Sequence, residues 1–191
     1  MKKLILIIGA PGSGKTTDAE LIAQHHAQHI SHYSTGDMLR AEAASGSDRG
    51  NIIESYISKG NIVPIDIVIE TIVHAIKKAA TPAVILDGYP RSIEQMEALE
   101  HYMQHHHDVT LVSVIEVHVS DAVAHERVVG RARGADDCHD IFERRMTIYK
   151  EPLAAIEAFY RRKNLLHVID GERSIDIVVA EMETYIMSKL S

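Results

Sequence analysis

GAPGSGKTT, residues 9–17, follows the apolar run Leu4-Ile5-Leu6-Ile7-Ile8 and precedes a stretch that carries Leu21, Ile22 and Ala23 at helical spacing. Gly9, Gly14, Lys15 and Thr16 satisfy the pattern G-x-x-x-x-G-K-[ST]. The run before the loop is short, branched and apolar without alternation. A strand buried on both faces of a parallel sheet reads this way. Strand, glycine loop and helix in that order aim several N–H groups and a helix N-terminus at one anion. Lys15 adds a charge suited to β- and γ-phosphates, and the hydroxyl of Thr16 or Thr17 suits Mg²⁺. This stretch therefore predicts an α/β fold built around a phosphate cradle.

The rest of the chain bounds what such a cradle serves. Its 191 residues suffice for one core domain with small inserted lobes. An apolar fraction of 46% and a charged fraction of 25% are those of an ordinary globule. A formal net charge of −7 argues against non-specific nucleic-acid binding, which needs a basic surface. Cys138 is the only cysteine, so an intramolecular disulfide and a cysteine-cluster metal site are excluded. Gly9 to Gly12 cut the first apolar run too short for a secretion signal, and no run approaches a membrane span. The expectation is a cytoplasmic monomer with no membrane or nucleic-acid partner.

Thirteen histidines are many for this length. His25, His26, His29 and His32 crowd the first helix, and His105, His106 and His107 end another. His25 and His29 stand at i, i+4, which would let two imidazoles share a metal. No carboxylate or cysteine in the pattern completes a ligand set, so they read as solvated.

Short apolar runs recur along the chain, each followed by a helical pattern. AVILD (83–87), LVSVIEVHV (111–119) and LLHVID (165–170) are strand candidates, with SHYS (31–34) a weaker one. Helical patterns cover about 17–28, 36–46, 49–59, 65–80, 92–106, 121–131, 140–163 and 174–189. The alternation predicts a doubly wound parallel sheet of about five strands. Pro152 should kink or split the helix at 140–163. Residues 34–63 contain two short helical patterns and no strand beyond the first residues, which suggests an inserted helical lobe. RARGADDCH (131–139) reads as a short polar connection.

Ligands of open parallel sheets bind beyond the carboxyl ends of the strands. Asp87, at the end of a predicted strand, would sit beside the loop and orient Mg²⁺ through its water shell. Arg40, Arg91, Arg127, Arg131, Arg133 and Arg145 all lie in segments that can face the same crevice. Arg127 and Arg131 stand at i, i+4 on one helix face. Several guanidinium forks in an acidic protein suit two phosphate chains rather than one. Transfer between two phosphates needs positioning and charge more than a general base.

GAPGSGK, YSTGDMLR, KGNIVP, DGYPRS with Gln95, ERVVGR, the ADD stretch with Arg145, and VIDGERSID follow one another over essentially the whole chain. In that order they resemble the adenylate kinases, here of the short-lid type, within the nucleoside monophosphate kinases. The resemblance implies a P-loop core with a five-stranded parallel sheet spanning 1–191, an AMP-binding lobe at 34–63 and a lid at 130–136. It implies phosphoryl transfer between ATP and AMP giving two ADP, Mg²⁺ accompanying ATP, and no structural zinc. Gly12, Ser13, Gly14, Lys15, Thr16 and Thr17 would hold the ATP phosphates, Arg131 would contact ATP, and the loop at Arg173 would cover its adenine. Thr35, Asn61, Ile62, Val63 and Gln95 would meet the AMP base. Gly88, Tyr89 and Pro90 would complete that site, with Arg40 and Arg91 on its phosphate. Lys15, Arg91, Arg127, Arg131, Arg133 and Arg145 would act on the transferring group, Arg133 and Arg145 also reaching AMP.

Departures from the family pattern are local. The lysine is followed by Thr16-Thr17 where the family has Gly-Thr. The lid arginine, Arg133, stands one place early relative to Asp136-Asp137. The long lid insertion with its zinc-binding cysteines is missing, which leaves Cys138 without a role. A pyrimidine monophosphate kinase is the nearest alternative, although such relatives carry a small apolar residue at the place of Thr35. A P-loop switch or plain ATPase is the alternative of a different class. The chain lacks the N-K-x-D element a guanine switch needs, and an ATPase would not use the second set of arginines.

Overall fold

Branched residues on consecutive positions make β1 (Lys2–Gly9) a strand with no solvated face, and Leu4 to Ile7 are completely buried. The computed structural model describes residues 1–131 and 139–191, Arg131 by its backbone alone. After β1 come α1 (Lys15–His25), β2 (Ile30–Ser34), α2 (Thr35–Ala43), α3 (Asp48–Ile57), α4 (Ile65–Lys78) and β3 (Ala83–Asp87). Then follow α5 (Ile93–His105), β4 (Val109–His118), α6 (Asp121–Arg131), α7 (His139–Arg162), β5 (Leu166–Asp170) and α8 (Ile175–Leu190). The strands form one five-stranded sheet in the order β2-β3-β1-β4-β5, every neighbouring pair parallel.

Strand alternation sorts the core into two layers. Leu4, Leu6 and Ile8 pack with Ile53 of α3, Ile72 of α4, Leu99 of α5 and Tyr160 of α7. Ile5 and Ile7 pack on the opposite face with Ile22 of α1 and with Val178, Met182 and Ile186 of α8. A smaller cluster joins Ala10 to Val119, Ala124 and Val128 and to Phe142 and Met146 of α7. Lys2 and Lys3, pointing to opposite faces, fasten the last carbonyls of a helix on each side. Lys2 Nζ donates to Ile76 O at 2.8 Å, and Lys3 Nζ to Leu190 O at 2.8 Å. Cations there complement the negative helix end.

The register positions the site. Ile7 pairs with Asp87 of β3, Asp87 with Ser34 of β2, and Gly9 with Val117 of β4. The loop after β1, the start of α2 and the segment after β3 therefore emerge side by side. Two expectations need correction. α7 runs unbroken from His139 to Arg162 with Pro152 inside it, so the proline does not split the helix. α1 begins at Lys15 and ends at His25, leaving His29 outside it. His25 and His29 thus share no helix face; instead Glu183 of α8 takes His25 Nδ1 at 3.1 Å and His26 Nε2 at 2.6 Å. Among the described residues no helix is long and apolar enough to cross a membrane.

Candidate active site

Residues 9–15 turn tightly at the carboxyl end of β1. Gly14, left-handed at φ 96°, sits at the N-cap of α1, and Ser13 N donates to Ala10 O at 3.1 Å. Lys15 Nζ lies across the loop at 3.1 Å from Ala10 O. Arg127 of α6 reaches over the loop and donates to Ser13 O at 3.2 Å. Asp18, in the first turn of α1, is buried behind this loop. Burial pushes its carboxyl up to about 6, against the pull of Arg127 and Lys15.

Asp87 is 2% exposed and holds both neighbouring elements. Thr16 Oγ1 donates to its Oδ1 at 3.0 Å, and His32 Nε2 lies 2.5 Å from its Oδ2. Thr17 is exposed. Of the two threonines, only Thr16 meets the acid of β3.

A cleft open to solvent runs from Lys15 to α2 and α3. Arg40 and Arg91 converge in it. A methyl group placed on Gly36 would stand 3.2 Å from guanidinium nitrogens of both. Arg40 is paired with Asp37 at 2.5 Å, and Arg91 Nε donates to Gly88 O at 2.8 Å. Desolvation in the crevice lowers the proton affinity of Arg91, Asp87 raises it, and Arg40 lowers it further. Two like charges in one crevice favour an anion between them. Gln95 is buried at the start of α5, where Ser92 caps the helix, and its Oε1 accepts from Arg91 N at 2.7 Å. Thr35, Asn61, Ile62 and Val63 line the apolar end. Thr35 Oγ1 is buried with no hydrogen-bond partner among the described residues, a state proteins rarely leave unexplained. Arg145, Ile148 and Tyr149 of α7 form the far wall. Gly60 seats the lobe against that helix: a methyl there would stand 3.3 Å from Ile141 Cγ2 and 3.4 Å from Arg145 Cγ.

A model of the adenylate kinase family matches residues 7–165. The adenylate kinase of Wolinella succinogenes is 60% identical over 190 residues, the whole of both chains, and that of Helicobacter hepaticus is equally similar over the same span. The adenylate kinase of Campylobacter jejuni is 58% identical over 186 residues, 97% of each chain. The chain belongs to the adenylate kinase family.

As an adenylate kinase it is a nucleoside monophosphate kinase, which sets aside the switch and the plain ATPase. Of the residues singled out in the sequence, Lys15, Thr35, Arg40, Asn61, Ile62, Val63, Gly88, Pro90, Arg91, Gln95 and Arg145 share the one cleft. Gly12, Ser13, Gly14 and Arg127 gather at its loop end. Tyr89 does not line it. Its ring is fully buried in the core and its hydroxyl donates to Gln95 O, so it supports the site from beneath. Arg173 is folded back, its Nε donating to Asp170 O at 3.1 Å and its guanidinium paired with Glu181 of α8 at 2.5 Å. The side chain of Arg131, and Arg133, Asp136, Asp137 and Cys138 with most of the expected lid at 130–136, lie outside the described residues. Asp18, His32 and Tyr149 were not singled out as site residues. Each follows a motif residue at a distance set by packing, and only the acid at Asp18, two places past the glycine-lysine-threonine, carried a local signal.

Proposed function

We propose that the chain transfers a phosphoryl group reversibly from ATP on the 9–17 loop to AMP in the pocket of Thr35 and Arg91, giving two ADP. One observation carries the reading. A phosphate loop and a pair of converging arginines, Arg40 and Arg91, open into the same cleft. A hydrolase or a switch has no use for the second anion site.

In this reading the loop N–H groups of Gly12 to Thr16 and Lys15 hold the ATP phosphates, and Arg127 closes the loop from above. Arg40 and Arg91 orient the AMP phosphate, which is largely dianionic near neutral pH and attacks without a general base. Thr35 and Gln95 face the adenine together with the 61–63 backbone. Arg145, joined by Arg131 and Arg133 from the lid side, neutralises charge on the group in flight. The loop at Arg173 covers the ATP base. Thr16 and Asp87 offer oxygen donors 3.0 Å apart beside the loop, which fits Mg²⁺ with part of its water shell retained. Mg²⁺ entering with ATP would be held by Thr16 and Asp87 and would supply charge neutralisation at the phosphates. Both nucleotide sites lie within one chain, which supports a monomer.

The test is a coupled assay of ADP formation with ATP alone, with ATP and AMP, and with CMP or UMP in place of AMP. Rapid ADP formation only with AMP is the expected result. ATP consumption that ignores AMP, or a preference for CMP, overturns the reading.

A further inference from the structure

Helix α5 begins beside the nucleotide cleft, where Gln95 lines the wall, and ends at His105 by the amino ends of the strands, just before β4. Its C-terminal part carries His101 and His105, both exposed and spaced i, i+4. That spacing sets two side chains one above the other on a helix surface. Their ring centroids are 4.2 Å apart and the rings are tilted by 33°. Nδ1 of His105 lies 2.8 Å from the carbonyl oxygen of His101. A carbonyl oxygen can only accept, so Nδ1 carries the proton and Nε2 of the neutral imidazole keeps its lone pair. Metal-binding imidazoles are oriented in this way, one nitrogen donating to a carbonyl while the other meets the ion.

The neighbouring histidines are placed differently. His106 stacks on Tyr102 with ring centroids 4.4 Å apart, and the Tyr102 hydroxyl donates to Asp108 Oδ2 at 3.1 Å. His107 lines a separate surface hollow with Met1 and Met103. Among the described residues no group of three or more histidines, cysteines or carboxylates is arranged to hold a metal. Water would therefore complete the coordination of an ion held by His101 and His105. Two imidazoles with water suit the tetragonal N,O coordination of Cu²⁺ or Ni²⁺ and offer little to Mg²⁺, which takes oxygen ligands. The place also favours a cation, because the last turn of a helix is its negative end.

We propose that His101 and His105 form a two-histidine site for a late first-row divalent metal, Cu²⁺ above Ni²⁺ in affinity. The ion bridges the last turn of α5 and stabilises the fold from the side of the sheet away from the nucleotide cleft. The unfolded chain does not hold the two rings in register, so binding favours the folded state. Phosphoryl transfer has no use for this pair.

The experiment titrates Ni²⁺ and, separately, Cu²⁺ into the untagged, nucleotide-free protein by calorimetry, and records melting temperatures with and without each metal. The proteins are the wild type, His101→Gln, His105→Gln and the double variant His106→Gln/His107→Gln. All four positions are exposed, and metal-free melting temperatures verify that each variant is folded. The tightest step of the wild-type titration should weaken by at least roughly tenfold in either single variant, since even an outer-shell partner commands that much. It should be unchanged in the double variant. Saturating Ni²⁺ should raise the melting temperature by about a few degrees in the wild type and the double variant, and not in the single variants. Mg²⁺ should not distinguish the four proteins. Electron paramagnetic resonance of the wild type with one equivalent of Cu²⁺ should show coupling to two imidazole nitrogens. A wild type that binds neither metal below millimolar concentration would overturn the proposal. So would a single variant of undiminished affinity, an equal loss in the double variant, or a Cu²⁺ spectrum with oxygen ligands alone.

Discussion

At the amino ends of the strands, polar groups are paired off. Lys2 and Lys3 each close a helix terminus, Thr81 Oγ1 meets both Ser31 Oγ and Ala83 O at 2.8 Å, and Glu183 holds His25 and His26. At the carboxyl ends the same backbone leaves polar atoms unsettled. Thr35 Oγ1 and Ser13 Oγ are buried without partners among the described residues, Arg40 and Arg91 crowd one crevice, and Asp18 and Glu116 bind protons more tightly than ordinary carboxyls. The amino end contributes stability that needs no ligand. The carboxyl end carries costs that a bound nucleotide can offset, as anything that binds only the folded state does.

That contrast can be broken from either side. The largest effect belongs to Arg145→Ala, which should lower kcat by about 10³ with little change in melting temperature. Set beside it, Arg133→Ala decides whether the early lid arginine takes part. A loss comparable to that of Arg145→Ala assigns it to the transferring group, and kcat within a few-fold of wild type removes it from the catalytic set. Thr35→Ala should shift the ratio of kcat/KM for AMP over CMP by roughly 1–3 kcal/mol. Because its hydroxyl has no partner among the described residues, thermal stability should not fall, and a clear drop in melting temperature would show that the hydroxyl is structural. At the amino end the pattern should invert. Lys3→Ala should cost about 1 kcal/mol in chemical denaturation, with kcat unchanged. Glu183→Gln should be the smallest, a few tenths of a kcal/mol at neutral pH. Hydrogen bonds from His25 and then His26 hold the Glu183 carboxyl below its usual range. Its contribution is therefore present above the ordinary carboxylate pKa and fades as pH falls through the depressed one. Melting curves of the two proteins should converge in acid; a gap that widens there would contradict the pairing.

How far the chain could be read depends on what each residue's role rests on. Lys15, Asp87 and Arg91 stand at or just past the ends of strands, so strand and loop patterns suffice to bring them together. The five-stranded parallel sheet and its order of elements follow from periodicity in the same way. SHYS reads weakly because β2 is an edge strand with one side less buried, yet it pairs with β3 from Ile30 to Ser34. Tyr89 looked like a site residue because it sits within DGYPRS, and only packing reveals that its ring turns into the core. The histidines near the first helix read as solvated, and only the fold shows that Glu183 on the last helix pairs with His25 and His26. The rule that a proline interrupts a helix holds best for isolated helices. Flanking packing by Met146, Ile156 and Tyr160 keeps the helix continuous through it.

That continuity has a mechanical side. At 1.5 Å per residue α7 is a rod of roughly 36 Å, and Pro152, having no N–H, removes one rung of its ladder, at the carbonyl of Ile148. The half before that rung bears Ile141 and Arg145, against which Gly60 of the lobe rests. The half after it is anchored by Ile156 and Tyr160 in the main core. A beam with one weakened section flexes there first, so force applied by the lobe is absorbed between Ile148 and Pro152. Phe142 and Met146 root the first half in the cluster beneath the phosphate loop, so the two halves of the helix are held by different parts of the core.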